Sequence, residues 1–268
     1  MAYIRSRIKK FPFILLYPFV YNISILKTLY FNLHYFPIKV ALRIPVILHR
    51  GVKLKKLKGA IELNCARIKP GLVHMGRSVY GFHTRFHLTI WEQRGGKVVF
   101  GENVVLGRGT FISLGYDGHL TFGDNVRFGG NSKIICRKSI TIGERTMVSW
   151  DAQIIDTDFH ATLNTIFKTR NSTESSINIG SHNWIGFGCT LLKGSITPDH
   201  CIVGANTSIK SDYSKSGENI VLAYEQNAKV TVKYITFDDR SEAESMEEFT
   251  GAEPEFQIGN PTPKRKQG

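Results

Sequence analysis

Large apolar residues recur at every sixth position through the middle of this chain, and that period restricts the fold more than any other feature. In the run IGSHNWIGFGCTLLKGS, Ile179, Ile185 and Leu191 are spaced by six, with Gly180 and Gly186 following the first two. Four places after each stands a small or polar residue: Asn183, Cys189 and Ser195. The same register appears at Phe100, Leu106 and Ile112 with Val104 and Thr110. It recurs at Phe122, Phe128 and Ile134 with Val126 and Ser132, and at Ile142, Val148 and Ile154 with Thr146 and Ala152. Alternation with period two would not place a glycine after an aliphatic residue at every sixth position, so a β-sandwich does not explain the pattern. A prism of stacked coils does. Three hexapeptides make one coil of about 18 residues, the large side chain points inward, the small one fits beside it, and glycine permits the corner. The expected fold is therefore an all-β solenoid of parallel strands.

Charge divides the chain. Residues 1–70 hold 14 Lys/Arg against the single acid Glu62, while the remaining basic and acidic residues cancel, so the whole net charge of +13 belongs to the N-terminal part. That part opens with Arg5, Arg7, Lys9 and Lys10, continues through uncharged Phe11 to Leu26, and is aromatic and basic as far as Arg43. Pro12 and Pro18 interrupt the apolar run, no small-residue cleavage site follows, and its length is short of the ~20 residues of a spanning helix. The composition suits either short helices packed on the solenoid or on a neighbouring subunit, or a segment lying on an anionic membrane through residues 1–45. No nucleic-acid module accompanies the charge.

The expected organisation is a basic, short-helical extension over 1–58, irregular first coils over 59–97, the regular solenoid over 98–236, and a disordered tail over 237–268. Residues 161–176 lose the period between two in-register runs and are expected to leave the prism as an external loop, a place where function collects. The four cysteines, Cys65, Cys136, Cys189 and Cys201, form no CxxC pair, which points to reduced structural thiols in a cytoplasmic protein and to no bound metal.

A prism has no cleft of its own, so chemistry is expected where the repeat breaks. The sharpest break is WDAQIIDTDFH, Trp150 to His160. Asp156, Asp158 and His160 alternate, and on an extended strand they share one face. Such a trio binds a cation, caps a loop, or holds an imidazole as a general base. His182 and His200 fall at or near coil corners and read as solvent-facing.

Residues 98–211, and above all TIGERTMVSWDAQIIDTDFH followed by INIGSHNWIGFGCTLLKG, resemble the hexapeptide-repeat, coenzyme A-dependent acyltransferases, specifically a polysaccharide O-acetyltransferase-like branch. The resemblance implies a left-handed parallel β-helix, a homotrimer with sites between neighbouring prisms, and acetyl-CoA as co-substrate. It assigns His160 as the base that deprotonates the acceptor hydroxyl, oriented by Asp158 or Asp156. It assigns Trp184, Ser149, Gly186, Phe187 and Ala205 to the donor groove, and Lys210 to the adenosine end. Asn131, Trp150 and Asp151 are expected at the acceptor. The implied acceptor is a sugar, or a saccharide on a lipid carrier, and the implied location is the cytoplasm or the inner face of its membrane.

The sequence departs from the family at three points. Gly129 or Asn131 stands where some sugar acetyltransferases place an asparagine. The Asp151 to His160 spacing is one residue longer than in the maltose and galactoside enzymes, and YEQNAK, Tyr224 to Lys229, replaces a G-x-P-A closing motif. The rival readings are acyl transfer to the amine of a nucleotide-linked sugar, a non-catalytic trimeric scaffold, and a metal-dependent hydratase of the same fold. The last lacks the close histidine pair it requires.

Overall fold

The computed structural model describes residues 22–78, 87–161, 171–225 and 227–233. The tail over 237–268 and most of the expected loop over 161–176 lie outside these residues, as do residues 1–21 of the N-terminal segment.

The six-residue period builds a three-faced parallel β-helix. Strands of the first face stack in chain order from Val46–Leu48 through Val73–Arg77, Val104–Gly107, Arg127–Phe128, Met147–Val148, Trp184–Ile185 and Cys201–Val203 to Ile220–Glu225. The second face runs Phe111–Leu114, Lys133–Cys136, Gln153–Ile155, Thr190–Leu192 and Ser208–Ile209. The third runs His119–Phe122, Ser139–Ile142, Ile177–Ile179 and Ile196–Thr197. The long strand Thr89–Phe100 bends from one face to the next, pairing with Phe111–Leu114 by its first half and with His119–Phe122 by its second.

Each large residue of the repeat points inward. Leu106, Ile134, Val148, Ile154, Ile185 and Leu191 are fully buried, and so are the small residues four places after a large one: Thr110, Ser132, Thr146, Ala152, Asn183, Cys189 and Ser195. The polar members find partners in the adjoining coil. Asn183 donates to Thr197 Oγ1 (2.7 Å) and accepts from the Cys201 amide (2.7 Å), and Ser195 donates to the carbonyls of Leu192 and Ile209. Phe100 and Phe122 stack at 5.1 Å between centroids, with Trp91 beside Phe100, filling the wider lower coils.

The corners repeat as regularly as the faces. At the first corner, between faces one and two, Gly109, Asn131, Asp151, Gly188 and Asn206 all take positive φ, from 57° to 83° or within that span. At the corner between faces three and one the left-handed positions are Asn103, Asn125, Arg145, His182 and His200. The rings of His182 and His200 stack there at 4.6 Å.

Parallel pairing begins early. The basic segment VKLKKLK lies in the strand Val52–Leu63, which pairs with Thr89–Phe100, with irregularities after Leu54 and Lys58. Before it, helices α1 (Ile25–Tyr35) and α2 (Ile38–Ala41) lie over the lower coils. Helix α1 is fastened by side chains to the edge strand. Asn32 accepts from the Val46 amide and donates to its carbonyl, while Thr28 Oγ1 accepts from the Leu48 amide. Phe31 and Phe36 pack into the core from these helices. No helix among the described residues is long and apolar enough to cross a membrane.

Candidate active site

The stacking of coils collects most of the expected site residues in one column. Backbone bonds at the first corner run from Asn131 N–H to Arg108 O (3.0 Å), Asp151 N–H to Gly130 O (3.0 Å), Gly188 N–H to Trp150 O (3.1 Å) and Asn206 N–H to Phe187 O (2.8 Å). Arg108, Gly130, Trp150, Phe187 and Ala205 therefore occupy equivalent positions in successive coils, preceded by Gly107, Gly129, Ser149, Gly186 and Gly204. At Gly129 and Gly186 the next coil leaves no room for a side chain. A Cβ on Gly186 would meet the Ala205 nitrogen at 2.7 Å, and one on Gly129 the Trp150 nitrogen at 2.6 Å.

Aromatic side chains line this corner. Trp150 and Phe187 stack with centroids 5.4 Å apart and planes 6° from parallel. Trp184, on the first face, is 41% exposed, and its indole Nε1 donates to Ser149 Oγ (3.1 Å). Phe187 is equally exposed, so two aromatic rings are open to solvent at this corner.

The corners differ in how their outward amides are treated. At the third-to-first corner an aspartate of the next coil accepts two of them: Asp124 from Glu102 N–H (2.7 Å) and Asp199 from Ser181 N–H (2.6 Å). At the second-to-third corner the Asp156 carboxylate accepts from the amides of Arg137 (2.7 Å) and Lys138 (2.8 Å). At the first corner no such side chain is supplied, and among the described residues no acceptor takes the amides of Phe187 or Ala205. A row of unpaired donors beside two exposed rings suits a long ligand with amide carbonyls, a description that fits the pantetheine arm of coenzyme A.

The D-x-D-x-H break lies at another corner and does not continue as a strand. Gln153–Ile155 ends before Asp156, which turns inward, is fully buried, and gives both carboxylate oxygens to the amides named above. Asp156 thus serves the corner and not the imidazole. Asp158 is half exposed and pairs with Lys193 Nζ at 2.6 Å. Lys193 also donates to Ser172 O (2.6 Å), so it ties the two ends of the excursion together. Phe159 sits at φ 61°, costly for a bulky residue. The turn around it is closed by His160 N–H to Asp158 O (2.7 Å) and by Phe159 N–H to Thr157 Oγ1 (3.0 Å). Arg137 lies over the Phe159 ring at 5.6 Å. The result is an exposed His160 at the lip of a corner, with no described side chain bonded to its ring.

The second face separates His160 from Trp184. Trp150 and Asp156 bracket the strand Gln153–Ile155, a path of roughly 15–20 Å at about 3.3 Å per residue. Lys210, which follows Ser208–Ile209, is likewise at the His160 corner and not beside Ala205. The chain therefore assembles Ser149, Trp150, Asp151, Trp184, Gly186, Phe187, Ala205 and Asn131 at one corner, and Asp158, His160 and Lys210 at the next. Sequence reasoning missed Lys193, Arg137 and Arg108. The first two carry no motif, and only the coil register reveals their placement.

The three buried thiols are unsuited to nucleophilic work. Burial pushes Cys201 up to about 12, and it raises Cys136, next to the Asp156 carboxylate, and Cys189 as well. Among the described residues no group of three or more His, Cys, Asp or Glu is arranged to hold a metal ion.

No family model matches the chain. WbbJ of Escherichia coli (strain K12), by name a lipopolysaccharide biosynthesis O-acetyl transferase, is 30% identical over 147 residues, which cover 52% of this chain and 73% of WbbJ. Rv3034c of Mycobacterium tuberculosis (H37Rv), an acetyltransferase by name, is 28% identical over 103 residues, 37% of this chain and 34% of its own. Among solved structures, the polySia-specific acetyltransferase NeuO aligns with a TM-score of 0.43 at 14% identity, covering 72% of this chain and 90% of NeuO.

Proposed function

The chain belongs to the hexapeptide-repeat acetyltransferase family, and from that premise we propose that it transfers an acetyl group from acetyl-CoA to a hydroxyl of a sugar during cell-surface polysaccharide assembly. The observation that carries the reading is the first corner, where the unpaired amides of Phe187 and Ala205 lie beside the exposed rings of Trp184 and Phe187. The name of WbbJ supports a saccharide hydroxyl as acceptor.

Acetyl-CoA supplies the acyl group as a thioester. Phe187 and Ala205 donate backbone hydrogen bonds along the groove, and the Trp184 indole, held by Ser149, walls it. His160 accepts the acceptor's hydroxyl proton on a ring nitrogen as the oxygen attacks the thioester carbonyl carbon. The C–O bond forms, the C–S bond breaks, and coenzyme A leaves as the thiol with that proton returned to its sulfur. The turn at Phe159, closed by the backbone bond from His160 N–H to Asp158 O and anchored by the Asp158–Lys193 pair, places the imidazole at the lip of its corner. With Cys136, Cys189 and Cys201 buried and the Cys65 thiol also raised, transfer is direct and forms no covalent enzyme intermediate. Because the donor corner and His160 are a face apart in one protomer, the reading takes the left-handed winding and the homotrimer of the family, in which one copy's His160 faces its neighbour's first corner.

Helix α1 supports a membrane-facing location. Leu26, Leu29, Tyr30 and Leu33 follow the i, i+3, i+4, i+7 spacing of one helical stripe, yet this stripe is exposed, as are Ile38 and Leu42. The inward stripe, Thr28, Phe31, Asn32 and Tyr35, is a separate one. Lys27 donates to Val52 O and His34 bonds Leu57 O, so the helix runs beside the strand that exposes Lys53, Lys55, Lys56 and Lys58. No acid interrupts residues 22–61. An apolar stripe flanked only by cations fits an anionic lipid surface, where the acceptor would be held on a lipid carrier.

The test is calorimetric titration with acetyl-CoA and CoA of wild type and Trp184→Ala, followed by thiol release with candidate saccharides. Saturable binding weakened by the substitution is expected. A folded protein that binds neither form of coenzyme A refutes the proposal, and an alkali-resistant product transfers the acceptor role to an amine.

A further inference from the structure

The first corner does not end at Trp150. Two coils lower in the same column stands Arg108, on the side of Trp150 away from Phe187 and Ala205. At about 4.8 Å per coil it lies roughly 10 Å along the groove from Trp150. The intervening position is Gly130, which puts no side chain between them.

Arg108 is 9% exposed, and its Nε has no hydrogen-bond partner. Its backbone is fixed, with the amide donating to Arg77 O (3.0 Å) and the carbonyl accepting from Asn131. None of the ion pairs among the described residues includes its guanidinium. The two buried carboxylates, Glu92 and Asp156, are engaged elsewhere: Glu92 accepts from Arg94 at 3.0 and 3.2 Å, and Asp156 caps backbone amides. Arg108 instead lines an open cavity of about 570 Å³ together with Asn22, Arg50, Gly51 and Ser78. No acid borders that cavity among the described residues, and Arg50 adds a second positive charge.

A guanidinium remains charged at any physiological pH, and burying one without a counter-charge is strongly unfavourable. A fold that keeps such a group aimed into a cavity is arranged for an anion that arrives from outside. The planar fork of the arginine matches the two oxygens of a carboxylate or phosphate.

We infer that Arg108, with Arg50 at its side, forms a subsite for an anionic group of the acceptor, a sugar carboxylate or a phosphate, so that the enzyme takes an acidic saccharide. The inference rests on the acyl-transfer reading above, because the donor fills the corner positions from Trp150 upward and leaves the lower end to the acceptor. The separation of about 10 Å is one to two sugar units, which puts the anion on a residue at or next to the one acylated.

The experiment uses the full-length protein with methyl glucuronide, glucose 1-phosphate and neutral methyl glucoside as probes, and CoA as a control. Wild type, Arg108→Gln and Arg108→Lys are titrated by calorimetry and melted without ligand. Binding of the glucuronide identifies a carboxylate and binding of the sugar phosphate a phosphate, while methyl glucoside binds to neither measurable extent. Arg108→Gln weakens the anion at least about tenfold, as for loss of a hydrogen bond from a charged group, and Arg108→Lys retains part of the binding. CoA affinity is unchanged in both, and the melting temperature of Arg108→Gln is equal to or above that of wild type, since an unpaired buried charge has been removed. Anion binding that survives Arg108→Gln overturns the inference, and so does wild type that binds CoA but neither anion. A parallel loss of CoA affinity assigns the arginine to the donor and overturns it too. If wild type binds no CoA, the acyl-transfer reading fails first and the acceptor subsite falls with it.

Discussion

Asp156→Ala separates a structural carboxylate from a catalytic one. Read along the sequence, Asp156 belongs to a D-x-D-x-H trio and orients His160. In the structure it is fully buried and accepts hydrogen bonds of 2.7 and 2.8 Å from the amides of Arg137 and Lys138. A hydrogen bond to a charged group contributes about 1.5–3 kcal/mol to stability. Two of them would give about 3–6 kcal/mol, but Lys138 is exposed and water reaches its amide once the carboxylate is gone. The expected loss is therefore near the lower end, about 3 kcal/mol. For a protein of this size that corresponds to a melting temperature lower by roughly 6–12 °C. Differential scanning fluorimetry reads the shift, and acetyl-CoA-dependent thiol release well below the new midpoint reads the chemistry. The expected variant is less stable and still active. An unchanged melting temperature combined with a turnover lower by about 100-fold or more would refute the reasoning, because that loss is what removal of a group acting on the general base produces.

His160→Ala should lower turnover by about 10²–10⁴-fold with little change in CoA affinity, and near-wild-type turnover removes His160 from the mechanism. His74 supplies a pH prediction. Burial first, then the neighbouring His49 and Arg77, push it down to about 4, and His49 Nε2 lies 3.2 Å from its Nδ1. The folded state thus binds fewer protons than the unfolded state between pH 6.5 and about 4, so stability should fall as pH drops through that window, and His74→Gln should flatten the fall seen in urea titrations at pH 7 and pH 4.5. Leu26→Asp combined with Leu33→Asp should abolish flotation with anionic liposomes while leaving thiol release in solution intact. Equal flotation of variant and wild type counts against the lipid-facing stripe.

The amino-acid sequence alone determines the coil. Because the large residue of each hexapeptide turns inward on a face of the prism, the period specifies the repeating part of the buried set. Leu106, Ile134, Ile154 and Leu191 all lie where it puts them, while Leu114, Leu120, Ile140 and Ile177, outside that register, are buried too. The same register makes the column of Ser149, Gly186 and Gly204 countable, as well as the pairing of Trp184 with Met147 below it. Tertiary structure decides matters that depend on contacts between coils. Alternation places Asp156, Asp158 and His160 on one face, but two amides of the preceding coil draw Asp156 inward, and the positive φ of Phe159 breaks the alternation before His160. The corner position of Arg108 follows from counting, whereas its burial and its missing partner follow from neighbours distant in the chain, such as Asn22, Arg50 and Ser78. A local pattern fixes which way a side chain points along its own coil. The stacked coils above and below fix whether that side chain meets an acceptor, a ring or an empty cavity.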